Sequence, residues 1–569
     1  MKEKFDVRAL EIHSLYAWDF EYIVKTLDFM QAHNFNTLVL HRNDFIDLII
    51  YPGKYFGCKK EHYNSIFERY KEIFRSLYKY TPTRRSSPYQ RRAFFKRVLE
   101  MARRRGIDVY IENKELYFPD IILEFYPHLI KDGKICANDP FWFEFTRVKY
   151  KEFFEEFPEV AGVITAPATG ESRISIKSNR CTCDLCKNTK KEDWFKSLLM
   201  AMYEEIDKAG KTLVVRDFVF DPEAHTEIAS VMENLPSNVI ISLKNTPHDY
   251  FPTFPNNERI GNVGNHKEWI EYDSMGQYFG WGVGIASEID EFNNRMKFAL
   301  DRGASGFIVR TDWESLDGHV VFRTPNYINL YAASMLGNNI NTEKKEVYRK
   351  FLLENNYLSS NANIDEVINW YDSIFSKTLP IMCKTVYVCG CVFSDSSLMP
   401  ISYEHAMWLA EEKNSLKDWD KSKADVFTPD YAHWLEIIKE KEEAVKEIEG
   451  IINVLKQTNP GLTDTYYNEL VDRFGIMKNY VQLFCLVTHI IMDTHVLLKN
   501  NSLSANDSEQ LIADYKDSHI KLEQLKDLFK EFFKQTDYRP HTIYTLLDPD
   551  RIACLLDDLD EKIQSVMEN

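Results

Sequence analysis

The stretch 160–173 combines an apolar run with a single acid in a way that could present a catalytic carboxylate. Residues 160–164 are apolar or small, and they lead into a loop of small residues that carries Glu171 and, two positions later, Arg173. Acids placed at the carboxyl ends of barrel strands commonly take part in catalysis. A carboxylate on a surface loop is otherwise simply solvated, so the assignment of Glu171 depends on the elements around it.

A second candidate carboxylate is Asp249, in the proline-containing loop 247–257. Hydrolysis of a sugar linkage needs one carboxyl group that protonates the leaving oxygen and a second that activates water or attacks the sugar. Glu171 and Asp249 are the pair that the sequence offers for this chemistry, and structural ion pairing is the alternative. Inverting chemistry places such carboxyl groups roughly 6.5–9.5 Å apart, whereas retaining chemistry places them about 5 Å apart.

Two cations at neighbouring strand ends, Arg216 and Lys244, could hold an anionic ligand group between them. A guanidinium fork matches the geometry of a carboxylate. Further ligand contacts are expected from polar and aromatic residues near the strand ends, namely Asn245, His248, Gln277, Tyr278, Trp281, Arg310 and Trp313. For some of the charged strand ends, salt bridges that hold the barrel mouth together are the alternative.

Three cysteines, Cys181, Cys183 and Cys186, follow the loop that carries Glu171. Thiolates at this spacing could hold a structural zinc ion together with a fourth ligand, a histidine or another cysteine, from elsewhere in the chain. Three reduced thiols in a loop are the alternative, because no second cysteine pair stands at a zinc-finger distance. The chemistry of two carboxylates itself requires no cofactor.

Short β-branched runs alternate with amphipathic helical segments through the first part of the chain. Eight runs are strand candidates: 7–13, 37–41, 108–112, 160–165, 212–217, 239–244, 277–283 and 306–311. This alternation predicts an α/β fold, a (β/α)8 TIM barrel over residues 1–338. A doubly wound open sheet is less compatible, because the glycine-rich first turn of a dinucleotide fold is missing after Ile12.

Beyond residue 338 the strand signals largely disappear and long helical periods replace them. Helices are expected at 347–354, 364–381, 435–455, 467–499 and 509–534, where apolar residues recur at three and four positions. Residues 339–569 are therefore predicted to form an all-α helical domain. Tyrosines on its helices, such as Tyr466, Tyr467 and Tyr480, are compatible with a homodimer interface and equally with core packing.

Charge and hydropathy limit the classes of partner. The 569 residues carry a net charge of −17, and the pI is near 5.5, which argues against a nucleic-acid partner. The chain contains no uninterrupted apolar run of about eighteen residues, so no membrane association is expected. The amino terminus lacks the apolar core of a signal peptide, so the expected location is cytoplasmic, or periplasmic if a leader has been removed.

Three segments together resemble the barrel of microbial α-glucuronidases, glycoside hydrolase family sixty-seven. They are 162–171 (GVITAPATGE), 210–221 (GKTLVVRDFVFD) and 239–250 (VIISLKNTPHDY). The resemblance covers roughly residues 5–340, the later helical half is similar to the carboxyl-terminal domain of that family, and the family's amino-terminal β domain has no counterpart. It implies that Glu171 is the general acid, that Arg216 and Lys244 hold a uronate carboxylate, and that Asp249 is a general base.

The sequence departs from the family pattern at two positions. A second candidate base of the family corresponds to Gln277, which cannot accept a proton from water, and a lysine four residues before the acid corresponds to Pro167. Either Asp249 is the only base, or Glu271 or Asp273 has taken that role, or activity is lost. The resemblance therefore implies an exo-acting, inverting glycoside hydrolase on an oligosaccharide with a uronic acid or related sugar. The alternatives are a non-catalytic carbohydrate-binding relative and a hexosaminidase-like barrel.

Overall fold

The computed structural model describes residues 2–56, 82–131, 133–179, 181–314, 316, 319–413, 415–500, 502–535 and 541–567. These residues form two compact units. One comprises 1–245, 257–272 and 299–317, and the other comprises 246–256, 273–298 and 318–569.

Eight strands close into a parallel barrel, which confirms the predicted fold class. In chain order they are β1 (Val7–Ile12), β2 (Thr37–His41), β3 (Asp108–Glu112), β4 (Gly162–Thr165), β5 (Thr212–Asp217), β6 (Ile240–Lys244), β7 (Glu268–Asp273) and β8 (Gly306–Arg310). Each strand pairs with its neighbour in sequence, and β8 pairs with β1, for example Val7 with Gly306.

The barrel interior is filled by one side chain from each strand. These side chains are Ala9, Val39, Tyr110, Ile164, Val214, Ile240, Trp269 and Ile308. The large rings of Tyr110 and Trp269 meet edge to face at 5.2 Å, and small residues lie around them. Gly162 is one of these small residues: a Cβ there would collide with the Tyr110 ring and the carbonyl oxygen of Thr212.

The predicted seventh strand at 277–283 is wrong, because the seventh strand is β7. The aromatic residues of 277–283 suggested a strand, but Gly280, Trp281 and Gly282 all have positive φ and form tight turns. β7 itself reads Glu-Trp-Ile-Glu-Tyr-Asp, and its three acids interrupt the apolar run that is typical of a buried parallel strand. All six of its residues are buried.

Helices follow most of the barrel strands. Those from the amino terminus to β8 are Phe20–Ala32, Phe45–Ile49, Gly53–Phe56, Pro82–Arg104, Ile122–Phe125, Pro140–Glu156, Asp184–Asn188, Lys191–Lys208, Pro222–Met232 and Ile289–Asp301. A two-residue hairpin, Ile130–Lys131 with Lys134–Ile135, precedes the helix Pro140–Glu156.

The carboxyl-terminal region is helical, as predicted. Its α-helices are Ile328–Asn338, Lys344–Glu354, Ile364–Phe375, Thr378–Val386, Tyr403–Trp408, Tyr431–Leu455, Asp464–Lys499, Ala505–Gln535, His541–Leu546 and Pro549–Met567. The helix Asp464–Lys499 is long and apolar enough to cross a membrane, but 67% of its most apolar window is buried inside the structure. That burial is typical of a core helix.

Candidate active site at the barrel mouth

A network of buried charged side chains lies at the carboxyl ends of five barrel strands. His41 Nδ1 lies 2.9 Å from Glu11 Oε1, and His41 Nε2 lies 3.0 Å from Glu112 Oε1. Arg216 is ion-paired with both Glu112 and Glu271, and its Nε donates to Glu271 Oε1 at 2.8 Å. All five side chains belong to residues that are at most 3% exposed. Arg216 therefore serves as the counter-ion of two buried carboxylates.

The carboxyl groups of this network differ in proton affinity. Burial, which Arg216 only partly offsets, raises the pKa of Glu112 to about 7. Burial also acts to raise the pKa of Glu271, but Arg216 and Lys244 outweigh it and the pKa is lowered. Ser242 Oγ donates to Glu271 Oε1 at 2.6 Å. Divergent pKa values of neighbouring carboxyl groups are what acid–base chemistry requires.

His13 connects the network to a small cavity. Its ring stacks on that of His41 with centroids 3.6 Å apart, and its Nε2 lies 2.8 Å from Glu314 Oε2. Burial acts to lower the pKa of His13, but Glu314 and Glu11 outweigh it and raise it. The cavity of about 130 Å³ is lined by His13, Arg42, Asn43, Asp44, Tyr117 and Glu314.

Glu171 lies in a fixed loop after β4 and is paired with Lys114. The Glu171 side chain is 38% exposed, while that of Lys114 is only 2% exposed. The backbone N–H of Glu171 donates to Thr169 Oγ1 at 3.0 Å, and the backbones of Leu116 and Ile174 bond to each other in both directions at 3.2–3.3 Å. The loop thus presents a solvent-accessible carboxylate that is held by a buried ammonium group.

Three cations surround the ring of Phe218, which directly follows β5. Lys244 Nζ lies 3.7 Å from the ring centroid, Lys114 Nζ lies 5.3 Å away, and the Arg216 guanidinium carbon lies 5.5 Å away. Cations over an aromatic face are stabilised by the ring quadrupole. The structure therefore brings the two predicted anion-binding residues, Arg216 and Lys244, together and adds Lys114.

The remaining predicted residues of the barrel unit are also near strand ends. The backbone N–H of Asn245 donates to the carbonyl oxygen of Glu271 at 3.1 Å, and Asn245 is buried. Arg310 ends β8 and is buried, whereas Trp313, three residues later, is half-buried. Contact of Asn245, Arg310 and Trp313 with a ligand stays a prediction.

Asp249 belongs to the second compact unit and has a defined partner there. Tyr278 Oη donates to Asp249 Oδ2 at 2.6 Å, and Asp249 has a φ of 51°. The rings of Tyr278 and His248 both pack against Phe251, at 4.2 and 5.2 Å. Asp249 is therefore oriented by a phenol, in an aromatic surrounding.

Gln277 and Trp281 lie in the turns that follow β7, also in the second unit. The backbone N–H of Gln277 donates to Asp273 Oδ2 at 2.8 Å, so the Asp273 carboxylate caps this turn. Trp281 Nε1 donates to the carbonyl oxygen of Ser396 at 2.7 Å, and Gln277 Nε2 donates to Ser396 Oγ at 3.4 Å. Both side chains are nearly inaccessible to solvent.

The three predicted metal-ligating cysteines meet a fourth, Cys136, that the sequence analysis missed. One sulfur from each of Cys136, Cys181, Cys183 and Cys186 lies within 4.8 Å of the others. Cys136 stands 45 positions before Cys181, as a single cysteine next to the short hairpin, so no cysteine spacing motif indicated that it joins the cluster. Cys136 lies between β3 and the helix Pro140–Glu156, whereas the other three cysteines follow β4.

Comparisons with known proteins give a fold but no family. No protein-family model matches the chain, and no curated protein matches it in sequence. Among solved structures it is similar to a GH138 enzyme targeting pectin rhamnogalacturonan II, with a TM-score of 0.63 and 13% identity over 100% of this chain and 67% of the other.

Two further solved structures are more distant. The Thermobaculum terrenum O-GlcNAc hydrolase has a TM-score of 0.41 and 10% identity over 99% of this chain and 96% of the other. The GH20 exo β-N-acetylglucosaminidase from Vibrio harveyi has a TM-score of 0.39 and 12% identity over 62% of this chain and 58% of the other. The α-glucuronidase resemblance stays a prediction. The chain shares the barrel fold of a glycoside hydrolase, and at this identity the likeness extends to the fold alone.

Proposed function

We propose that the protein is a glycoside hydrolase with Glu171 as its general acid. The observation that carries the proposal is that the loop after β4 presents an accessible carboxylate, Glu171, near several buried ones. Glu171 is 38% exposed, whereas Glu11, Glu112 and Glu271 are at most 2% exposed. A group that protonates a leaving oxygen has to reach the substrate, and Glu171 meets that requirement.

The proposed substrate is an oligosaccharide that ends in a uronic acid or a related anionic sugar. The three cations around Phe218, Lys114, Arg216 and Lys244, mark the region at the strand ends where we place the anionic sugar. Arg216 already neutralises two carboxylates, so we assign the main contact with the sugar carboxylate to Lys244. Cleavage at a chain end is part of this proposal, since one terminal sugar acid would occupy the region.

We assign the role of general base to Asp249, which would make the enzyme inverting. The hydrogen bond from Tyr278 Oη to Asp249 Oδ2 orients this carboxylate within the second unit. In this mechanism Glu171 donates a proton to the leaving oxygen while Asp249 accepts one from the attacking water, and no cofactor is required.

Turnover by the wild type and by Glu171→Gln tests the proposal. A screen with aryl glycosides and glucuronylated oligosaccharides should show product release by the wild type and a loss of about 10²-fold or more in the variant, because the acid contributes that much to the rate. Glu100→Gln, which alters an exposed helix carboxylate paired with Arg103, is the matched control and should keep full activity. Equal turnover of Glu171→Gln and the wild type would contradict the assignment.

A non-catalytic carbohydrate-binding protein is the second candidate. The observation that favours it is the ion pair between Lys114 and Glu171, because this pair already engages the carboxyl group that catalysis would need. Calorimetric titration with the same oligosaccharides separates the two candidates. Binding without product from any of them would favour this second function, whereas product with inverted anomeric configuration, detected by proton NMR, would favour the first.

A further inference from the structure

Four cysteine sulfurs converge beside the helix that follows the short hairpin of the barrel unit. Cys136 Sγ lies 3.4 Å from Cys186 Sγ and 3.7 Å from Cys183 Sγ, and Cys181 completes the group with all four sulfurs within 4.8 Å. Cys136 and Cys186 are buried, while Cys181 and Cys183 are half-buried. We propose that these four cysteines form a structural zinc site.

The sulfur spacing fits a tetrahedral metal ion and not a disulfide. Zinc–sulfur bonds of about 2.3 Å in a tetrahedron place neighbouring sulfurs about 3.8 Å apart. The two distances at Cys136 are close to that spacing. A disulfide would require about 2.05 Å. A tetrahedral set of four thiolates is typical of a zinc site, and iron is the other metal that such a set commonly binds.

The surroundings of the cluster supply the hydrogen bonds that metal-bound thiolates require. Asn138 Nδ2 donates to Cys186 Sγ at 3.4 Å, and the backbone N–H of Cys186 donates to Cys183 Sγ at 3.5 Å. The backbone N–H of Cys181 donates to Asn179 Oδ1 at 3.0 Å, which fixes the start of the cysteine segment.

Two tryptophans hold the segment that provides Cys136. Trp142 Nε1 donates to the carbonyl oxygen of Cys136 at 3.1 Å, and Trp194 Nε1 donates to that of Ala137 at 2.9 Å. Both indoles belong to helices that flank β4, Pro140–Glu156 and Lys191–Lys208. The site is thus built into the helical layer of the barrel, and it does not depend on the proposed hydrolase activity.

A zinc ion in this site would fix the segment that follows Glu171. Four thiolates fill the tetrahedron, so no position is open for a substrate or water, which makes the site structural. Only nine residues separate Glu171 from Cys181. The ion would link that segment to the residues before the helix Pro140–Glu156, which the hydrogen bond from Asn138 to Cys186 also connects to it.

Metal analysis of the purified full-length chain tests the site. Elemental analysis should give about one zinc ion per chain, and exchange with Co²⁺ should give the sulfur-to-cobalt charge-transfer and visible bands of a tetrahedral tetrathiolate site. Cys136→Ser and Cys186→Ser should each reduce the zinc content at least tenfold, whereas Cys554→Ser, an exposed cysteine outside the cluster, should keep it. Hydrogen exchange in 171–186 should be faster in the two cluster variants.

The wild-type measurements decide the proposal even if the cluster variants fail to fold. A folded wild-type chain without bound metal that also fails to bind added Zn²⁺ or Co²⁺ would overturn it. A disulfide among the four cysteines, detected by mass spectrometry of the non-reduced protein, would overturn it as well, and bound iron in place of zinc would overturn the identity of the metal.

Discussion

Replacing Arg216 by methionine should destabilise the barrel unit strongly, because the substitution removes the counter-ion of two buried carboxylates. Glu112 is fully buried and Glu271 is 2% exposed, so neither can be rehydrated without opening the barrel mouth. Removing one partner of a buried ion pair typically costs about 3–5 kcal/mol. At roughly 2 °C per kcal/mol for a unit of this size, the expected fall in Tm is roughly 6–10 °C.

The loss of stability in Arg216→Met should depend on pH. Arg216 acts to lower the pKa of both Glu112 and Glu271, so its removal raises both pKa values in the folded state. A folded-state pKa above the unfolded value gives stability that is present at low pH and is lost as the pH rises through the folded pKa. The deficit relative to the wild type should therefore be larger at about pH 8 than at about pH 5.

Denaturant unfolding followed by tryptophan fluorescence at both pH values measures this effect. Arg173→Met is the matched control, because Arg173 pairs with the largely exposed Asp120, and such a pair contributes about 1 kcal/mol or less. If Arg216→Met were no less stable than Arg173→Met at the higher pH, Arg216 would not be the counter-ion that we infer. A deficit that grew on acidification would refute the sign of the argument.

Two further predictions concern the barrel core and the pH dependence of stability. Gly162→Ala should lower the free energy of unfolding by about 1–3 kcal/mol or more, because its methyl group would collide with the Tyr110 ring. Gly450→Ala places a methyl group in open space within a helix and should raise the free energy of unfolding by about 0.5–1 kcal/mol. Thermal unfolding compares the two variants, and an equal effect would contradict the packing argument. Because burial raises the pKa of Glu112 from an ordinary value of 4.5 to about 7, ionisation of Glu112 should lower the stability of the wild type by about 3 kcal/mol as the pH rises through that range. Glu112→Gln should lack this dependence in denaturant unfolding, and an unchanged slope would show that another group is responsible.

Seven of the eight strands could be predicted from the sequence, because each contains a short apolar run, such as Leu-Val-Val in β5. β7 could not, since it carries three acids, Glu268, Glu271 and Asp273, and acids in a short run suggest a solvent-exposed segment. The burial of Glu271 is compensated by a residue far away in sequence, Arg216. Periodicity alone does not report such partners.

The sequence indicated which charged residues stand near strand ends, but not which partners they have. Arg216 and Lys244 were expected to share one role, because both are cations at adjacent strand ends. The structure gives them different partners: Arg216 is paired with two carboxylates, whereas Lys244 lies over the face of Phe218. Likewise, Cys136 completes the cysteine cluster through the fold and not through any spacing in the sequence.

The pair of Lys114 and Glu171 gives a physical reason for an anionic substrate in the proposed mechanism. Glu171 Oε2 contacts the Lys114 ammonium, so the carboxyl group that we propose as the acid is held in an ion pair in the structure. A sugar carboxylate bound near the three cations would compete with Glu171 for the Lys114 ammonium. An anionic sugar would thereby release Glu171 towards the leaving oxygen, whereas a neutral sugar would leave Glu171 paired with Lys114.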